Sequence, residues 1–593
     1  EAALLATRAY ALDPYYGGER PDRARALYEQ ALVLERSAGL LVRLAQLCLA
    51  DGDNERAVAL LAELDVATSP DAAARALQGV LLAESGHRDQ ATSALAEALR
   101  ARGRDTLVDW ALRRTELERE TIRTAEPSQD APHLQLSVTL DETKIVGQAR
   151  WQYTHHDTTP LAQLHFLLLP NLGADRNPAL SHLATAHGFW TDCEPRRTDV
   201  AGVYDAQGSP LAWHYEAAPA VQQLYSLERG ILVVDLPTSL MPSTSIEVVI
   251  DFVTSVPHRR GDEGRFNGDI TWRFGWFPVP RYRDETGWSD KAVLTSFTHH
   301  TRVAAPTGYR VLIGADRSEQ AGTVTVARSP VAVRSIPLVA SRRLQCLART
   351  IDGIAVSLCY YRDAALLDTS EGEAREKLTQ LERIVRHHQA RYGPYRLSSL
   401  VVTESPTTYL SMAADGLVLL GDLFFLHDRT WIAWGIYRPI GEVVLAHELG
   451  HEWWGVGRAV DFDTDNWISE GLAELAAREY AQERFGERGE DSLHANFFVR
   501  WVLANLAGTA LPKNSLYETV LPSYRDHVRF GVDDLLSAPR RDIGHREEEQ
   551  YLLYEKGYLA VRAMNALLGP AATGDLWRVL AHEDLSRPLT PEA

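Results

Sequence analysis

The sequence predicts a multidomain α+β protein, with an N-terminal α-helical repeat domain, a central antiparallel β domain, and a C-terminal domain of helices and strands. Three observations predict this class. Apolar residues recur with helical spacing up to about residue 124, alternate with a period of two from about 134 to 361, and return to helical spacing at 371. The 593 residues suffice for three or four domains. We place the boundaries at residues 1–126, 127–362 and 363–593.

The N-terminal domain repeats itself with a period of 34 residues. Leu27, Leu61 and Leu95 are one period apart, and so are Gly52 and Gly86, each between two amphipathic helical segments. A helix–turn–helix period of this length resembles the tetratricopeptide repeat. Such a stack either binds a peptide or protein partner in its groove or packs as a cap on the rest of its own chain.

The central domain consists of short segments with alternating polarity. They read L-Q-L-S-V-T-L, A-R-W-Q-Y-T-H, I-L-V-V-D-L, I-E-V-V-I-D-F-V, Y-R-V-L-I-G and I-A-V-S-L-C-Y-Y, with turns between them. This pattern predicts an antiparallel sandwich or curved sheet. The histidine pairs His155–His156 and His299–His300 lack a metal-ligand spacing, and we predict structural or surface roles for them.

The third domain opens with a helix at 371–392, which ends near His387 and His388, where a histidine fits a C-terminal cap. A strand, S-S-L-V-V-T-E, follows, and then a predicted edge strand within 407–420. The last long helix covers about 554–569 and begins Y-E-K-G.

The run H-E-L-G-H at 447–451 carries the chemistry. His447 and His451 are four residues apart, so on a helix they share one face and can bind one metal ion. Glu448 can hold a water molecule beside that ion, and Glu470, after eighteen further residues, supplies a third ligand. Three protein ligands leave one tetrahedral position for water, as in catalytic zinc sites. Glu474 is either an outer partner of a ligand histidine or a solvated helix residue.

Composition excludes several classes of function. The net charge of −19, from 80 acidic and 61 basic residues, disfavours nucleic acid and anionic membranes as partners. No apolar run reaches eighteen residues, so no transmembrane segment is predicted. The four scattered cysteines argue against a disulfide framework and favour a reducing compartment. We expect a cytoplasmic protein, or one displayed outside the membrane if an upstream signal or anchor has been removed.

Together, H-E-L-x-H-x-W-x-G, the eighteen-residue gap, W-I-S-E-G and Y-E-K-G resemble the gluzincin aminopeptidases, the family of alanyl aminopeptidase and leukotriene hydrolase. The resemblance covers about residues 134–588, and F-P in the segment 275–284 is similar to a family turn. It implies a thermolysin-like catalytic domain with one Zn²⁺ per chain, held by His447, His451 and Glu470. It also implies that Glu448 is the general base and that Tyr554 steadies the tetrahedral intermediate. Without it, Tyr551, Tyr554 and Tyr558 are equivalent candidates.

One position departs from the family pattern. A G-x-M-E-N strand in the family supplies a glutamate that binds the substrate α-amine, whereas the matching segment here is S-M-A-A-D-G, with Ala413 at the glutamate position. A methyl group cannot pair with an ammonium group. We predict that Met412, Ala413 and Asp415 bind substrate, with Asp415 or Glu404 as the replacement carboxylate.

These features predict a zinc metallopeptidase that hydrolyses peptide bonds by zinc-activated water, with an aminopeptidase as the leading subtype. One alternative is a zinc endopeptidase or dedicated maturation protease with altered recognition of the substrate N-terminus. Another is a non-catalytic binding scaffold built on the repeats. The expected partners are a peptide or protein substrate and a protein bound by the repeats.

Overall fold

The N-terminal part of the chain consists of helices. In the computed structural model these are α1 (Ala2–Tyr10), α2 (Pro21–Leu34), α3 (Ala38–Ala50), α4 (Asn54–Ala62), α5 (Ala72–Glu84), α6 (Arg88–Arg102) and α7 (Thr106–Thr115).

The structure describes all residues except 1, 11, 13–19, 65–71, 103–105, 118–130, 173–193, 195, 219–228, 259–260, 262, 285, 362–369, 407–410, 422–437, 486–523, 526–527, 530, 532, 540–550, 583–586 and 592–593.

The 34-residue period corresponds to two helical hairpins, α3–α4 and α5–α6. Gly52 and Gly86 join the helices of each hairpin at φ of 80° and 82°, a conformation that glycine adopts without strain. Ala57 and Ala91, also one period apart, are fully buried at equivalent places. The hairpins therefore repeat in structure as in sequence, and their assignment to the tetratricopeptide class stays a prediction.

Contacts divide the chain into two compact units, Glu1–Pro127 with His582–Asp584, and Ser128–Ala581 with Leu585–Ala593. The second unit begins with β-structure and one short helix, α8 (Leu169–Leu172). Its strands are β1 (His133–Leu140), β2 (Lys144–Thr154), β3 (Leu161–Leu167), β4 (Thr198–Asp205), β5 (Trp213–Glu216), β6 (Ile231–Leu240), β7 (Ser245–Ser255), β8 (Glu263–Phe266), β9 (Asp269–Trp272), β10 (Val279–Pro280), β11 (Arg283–Asp284), β12 (Gly287–Trp288), β13 (Phe297–Ala304), β14 (Arg310–Ile313), β15 (Arg317–Ala321), β16 (Val324–Val333) and β17 (Leu338–Ser341).

These strands form a seven-stranded sheet in the order β15-β16-β13-β1-β2-β7-β4, two four-stranded sheets, β10-β3-β6-β5 and β14-β17-β9-β8, and the pair β11-β12. Residues along β1 alternate between buried and exposed, as the sequence pattern predicts for a half-buried strand. One pair, β1 with β13, runs parallel, which the prediction of an antiparallel domain did not anticipate.

A further sheet, of five strands, lies next to the metal-binding segment. It consists of β18 (Leu344–Ile351), β19 (Ile354–Tyr361), β20 (Ser399–Ser405), β21 (Ser411–Ala414) and β22 (Leu417–Gly421), in the order β18-β19-β20-β22-β21. The predicted edge strand within 407–420 corresponds to two strands: β21 lies at the edge of the described sheet, β22 lies inside it, and 407–410 fall outside the described residues. Because β19 pairs with β20, the sheet continues across the boundary that we placed at residue 362.

The remaining helices carry and surround the metal-binding segment. They are α9 (Glu371–Tyr392), α10 (Arg438–Gly450), α11 (Asn466–Phe485), a π-helix (Tyr551–Lys556), α12 (Gly557–Leu568) and α13 (Pro570–His582). A capping box between Ser370 and Glu373 starts α9. Within the described part of the chain, no helix is both long and apolar enough to cross a bilayer.

The structure corrects two predictions, the capping role of His388 and the absence of disulfides. His388 is fully buried, its Nε2 lies 2.8 Å from the carbonyl oxygen of Ala446, and burial lowers its pKa to about 3. It is therefore a neutral residue that links α9 to α10, not a cationic cap. Cys346 and Cys359 face each other on β18 and β19, with Cα atoms 4.0 Å apart, and form a disulfide.

Candidate metal centre and active site

Three side chains from two packed helices meet at one point. His447 lies near the end of α10, His451 one residue beyond it, and Glu470 in the first turn and a half of α11. One Glu470 oxygen, Oε2, is 3.4 Å from Nε2 of His447 and 3.4 Å from Nε2 of His451. The three donor atoms all lie within 4.8 Å of one another, and they are the only such group among the described residues.

This group fits a zinc ion. Tetrahedral zinc with nitrogen and oxygen ligands at about 2.0–2.2 Å separates those ligands by about 3.4 Å, which matches the two nitrogen–oxygen distances. Oε2 of Glu470 is buried and accepts no hydrogen bond from the described residues, so a cation would supply its missing partner. The three residues therefore form a site for one Zn²⁺.

The ring nitrogens that face away from this point have partners of their own. Nδ1 of His447 is 3.1 Å from a carboxylate oxygen of Glu474, which also pairs with Arg478. Nδ1 of His451 is 3.1 Å from the carbonyl oxygen of Trp454. Such contacts orient a ligand imidazole and direct its other nitrogen to the metal.

The electrostatic field of the site favours a cation. Burial alone would lower the pKa of His447, but the carboxylates of Glu470 and Glu474 outweigh it and raise this pKa to about 10. Burial would raise the pKa of Glu474, and Arg478 and His447 instead lower it to about 2. The carboxylates are thus held ionised around the point where a metal would bind.

Glu448 and Tyr554 border the same point. Glu448 is buried, and burial raises the pKa of its carboxyl group against the opposing effect of His447 and His451. The Tyr554 ring stacks on His447 with centroids 5.6 Å apart, and burial followed by Glu470 and Glu448 raises the pKa of its phenol, which stays protonated. Tyr558 instead lies under Arg478, 4.5 Å from its guanidinium. The side chain of Tyr551 lies outside the described residues.

Two glycines bring Tyr554 to the metal ligands. A Cβ on Gly471 would lie 2.7 Å from the carbonyl carbon of Gly557, and a Cβ on Gly557 would lie 2.8 Å from the carbonyl oxygen of Trp467. The start of α12 therefore rests directly on the backbone of α11, one residue after Glu470. This contact explains why both W-I-S-E-G and Y-E-K-G contain glycine. The π-helix that holds Tyr554 ends at this contact, and such irregular turns recur at functional sites.

The carboxylates proposed to replace the family's glutamate are already engaged. One oxygen of Asp415 accepts from Arg396 at 2.7 Å, and the other accepts from the Ser335 hydroxyl and the backbone nitrogens of Arg334 and Ser335. Asp415 is 1% exposed, so neither oxygen is left for a substrate ammonium. These contacts give Asp415 a structural role and disfavour its predicted amine-binding role, which stays a prediction. Glu404 is buried on β20 and accepts from the backbone nitrogen of Tyr361.

Ala413 faces a residue that the sequence did not single out, Arg273. This arginine follows β9, and its Nε donates to the carbonyl oxygen of Ala413 at 2.9 Å, while Nη1 lies 3.7 Å from the sulfur of Met412. Its positive charge also opposes the upward pKa shifts of Glu448 and Tyr554. Arg273 thus connects Met412 and Ala413 to the electrostatic environment of Glu448 and Tyr554. In the sequence, Arg273 is marked only by its position just ahead of W-F-P-V-P, and nothing in that pattern predicts a contact with β21.

Comparisons with known proteins fit this geometry. No family model matches the sequence, and no curated protein matches it. Among solved structures, an M1 zinc metallopeptidase from Deinococcus radiodurans is similar, with a TM-score of 0.51 and 17% identity over 78% of this chain and 88% of that chain. A mutant from the same organism, bound to a Tyr-Ser-Ala substrate, gives the same values. A two-domain mutant bound to L-arginine has a TM-score of 0.50 and 16% identity, with the same coverage. Over most of its length, this chain therefore has the fold of the M1 zinc metallopeptidases.

Proposed function

We propose that this protein is a zinc peptidase that hydrolyses peptide bonds with a water molecule activated at the metal centre. The observation that carries the proposal is the tetrahedral spacing of His447, His451 and Glu470, with Glu448 and Tyr554 on the same point. The likeness to M1 zinc metallopeptidases supports the same reaction class. The complete set of reactive groups argues against a non-catalytic scaffold.

A zinc ion bound to these three ligands would polarise the scissile carbonyl and lower the pKa of the attacking water to near ~7. Glu448 accepts the proton of that water and then delivers it to the leaving amine. Burial suits Glu448 to both steps, because a raised pKa brings the carboxylate closer to the operating pH. Glu474 keeps the His447 ring oriented while the charge in the site changes.

Tyr554 donates a hydrogen bond to the carbonyl oxygen as negative charge develops on it. Its raised pKa keeps the proton on the phenol at neutral pH, which a donor requires. The loss of one such donor typically costs ~3 kcal/mol of transition-state stabilisation. The ring stack on His447 fixes the phenol beside the ligands.

Two substrate classes suit this chemistry. The similar structure bound to a Tyr-Ser-Ala substrate supports an aminopeptidase that acts on free N-termini. Ala413, in the place of an amine-binding glutamate, favours a peptidase that accepts acylated or internal segments. The N-terminal hairpins give either enzyme a surface for a substrate or protein partner.

The test is mass-spectrometric mapping of cleavage in a peptide pool whose members are half free and half N-acetylated. Zinc content is measured on protein purified without chelator, and Glu448→Gln serves as the inactive control. Stepwise loss of residues from free N-termini indicates an aminopeptidase, whereas internal cuts or cleavage of acetylated members indicate the second class. If wild-type protein holds zinc but cuts nothing that Glu448→Gln leaves intact, the peptidase proposal is wrong.

A further inference from the structure

We propose that Arg273 is a specificity-determining residue: it makes the substrate side of the site select a peptide whose N-terminal nitrogen is acylated, and disfavours a free α-ammonium. The inference rests on the proposed peptidase function and identifies the substrate class for it. The ligand chemistry is a carbonyl oxygen that accepts a hydrogen bond from a guanidinium. An acetylated N-terminus and an internal peptide segment both present this oxygen.

The position of Arg273 supports this role. β21 is the edge strand of its sheet among the described strands, and a sheet edge is where an extended peptide can add by main-chain hydrogen bonds. Arg273 reaches that strand across 140 positions of sequence and binds the carbonyl oxygen of Ala413 through Nε. Its other contact on the strand is Met412. The guanidinium is therefore fixed at the edge where substrate would lie.

The remaining donors of Arg273 are available to a ligand. Nη2 has no hydrogen-bond partner in the described part of the chain, and Nη1 contacts only the weak sulfur acceptor of Met412. The Cζ atom sits 4.3 Å from the centre of the Phe274 ring, which holds the side chain in place. Among the described residues no carboxylate lies within ion-pair distance of Arg273, and its charge acts on the Glu448 carboxyl group only through space. A half-buried, oriented cation of this kind pairs with an acceptor oxygen and repels an ammonium.

The described residues near Arg273 disfavour a preference for a free α-ammonium. Ala413 is a methyl group, and both oxygens of Asp415 bind protein groups. Glu448 interacts electrostatically with Arg273, and in the proposed mechanism its carboxylate serves the attacking water. A free α-ammonium placed beside Ala413 would therefore meet a fixed positive charge without a dedicated counterion among the described residues.

The experiment measures binding, so it does not depend on turnover. The probes are Ac-Ala-Ala-Ala-NH₂ and H-Ala-Ala-Ala-NH₂, titrated calorimetrically at pH 6.5 into zinc-loaded, full-length protein carrying Glu448→Gln. At this pH the free α-amine, with an ordinary pKa near ~8, is protonated. We expect the acetylated peptide to bind at least about tenfold more tightly, since one charge-assisted contact typically accounts for such a factor.

Adding Arg273→Gln or Arg273→Met should reduce that preference about tenfold, while Arg273→Lys, which keeps the charge, should retain most of it. Arg342→Gln is the matched control, because Arg342 also stacks on an aromatic ring, Tyr309, at 4.4 Å, and its other partner is Glu142. If Arg273 only ties β21 in place, its substitution weakens both peptides equally and leaves the ratio unchanged.

Three results would each overturn the inference: an unchanged ratio of the two peptide affinities in Arg273→Gln and Arg273→Met, tighter binding of the free peptide to the Glu448→Gln protein, or binding of neither peptide. If only one of the two Arg273 variants folds, its affinity ratio decides. The peptidase proposal is judged separately, from cleavage by protein with Glu448 intact. If the protein cleaves peptides but the Arg273 variants keep the affinity ratio, only the role of Arg273 is refuted. If these variants change the ratio but the protein cleaves nothing, only the peptidase function is refuted.

Discussion

Replacing Gly471 with alanine tests how Tyr554, the proposed hydrogen-bond donor, is positioned. The new Cβ would lie 2.7 Å from the carbonyl carbon and 2.9 Å from the carbonyl oxygen of Gly557, both backbone atoms that cannot rotate away. Carbon atoms in ordinary contact are about 3.5–4.0 Å apart, so α12 must move away from α11 by about 0.8 Å. Because Tyr554 lies three residues before Gly557, it moves with α12, whereas Glu470 stays on α11.

The expected effect is a loss of turnover with the metal retained. A displacement of about 1 Å in a reacting group can cost about 100-fold in rate, so kcat should fall between about tenfold and 100-fold. KM should change much less, since Arg273 and β21 are not displaced. Overpacking should cost about 1–3 kcal/mol of unfolding free energy, partly offset by the better helix propensity of alanine. Steady-state kinetics, zinc content and chemical denaturation measure the three quantities.

Gly372→Ala is the matched control, because a Cβ at Gly372, in the first turn of α9, meets only Ser370 Oγ at 3.9 Å. It should leave kcat unchanged. In a Tyr554→Phe background, Gly471→Ala should have little further effect on kcat, since the group it displaces is already gone. Wild-type kcat in a folded Gly471→Ala protein, or a full additional loss in the double variant, would refute the reasoning.

Four further predictions concern single residues. Tyr554→Phe should lower kcat by about 100- to 1000-fold with unchanged zinc content, measured by steady-state kinetics; normal turnover would show that another donor acts. Glu474→Gln should weaken zinc affinity about 10- to 100-fold in chelator competition, by loosening the ring of the ligand that it contacts. Burial lowers the pKa of His299 to about 3 from 6.5, so the folded state binds fewer protons than the unfolded state between these values. The free energy of unfolding should thus fall by up to about 1.4 kcal/mol per unit as pH drops from 6.5 toward 3, and His299→Gln, but not His300→Gln, should remove this part of the slope. Asp415→Asn should cost about 3–5 kcal/mol of stability by removing the buried carboxylate that pairs with Arg396, without changing the preference between free and acetylated peptides.

The grouping of the metal ligands was predictable from sequence because their geometry is local. His447 and His451 are one helical turn apart, and a turn fixes their relative position without any tertiary information. Glu470 was predictable from its own amphipathic helix and the spacing to His451. The choice of Tyr554 required the family resemblance, since the Gly471–Gly557 contact that sets its position joins two segments far apart in the chain.

The sequence predicted helices and strands correctly where hydrophobic periodicity is strong, but it did not predict which distant strands pair with each other. The helix at 371–392 has the predicted bounds, and all six segments with alternating polarity are strands. The parallel pairing of β1 with β13 and the extension of the sheet from β19 to β20 depend on long-range registers that no local pattern contains. The Cys346–Cys359 disulfide had a local signal, because both residues lie on one hairpin, but spacing alone did not show that they face each other.

The residues proposed for catalysis and those proposed for substrate selection lie on different elements, so substrate preference can change independently of the metal centre. The metal ligands and Glu448 come from α10 and α11, which pack on each other, and Tyr554 is held by a glycine contact to the same pair. Ala413 and Arg273 come from a sheet edge and from the end of β9, and neither contacts a metal ligand by a hydrogen bond among the described residues. Substitutions at these two positions can therefore change which peptide end is accepted without disturbing zinc binding. In the proposed specificity, Ala413 stands where the resembling family has an amine-binding glutamate, and Arg273 keeps donors without partners among the described residues. A change in specificity would require both features: removal of the group that attracts the ammonium, and a fixed cation that repels it.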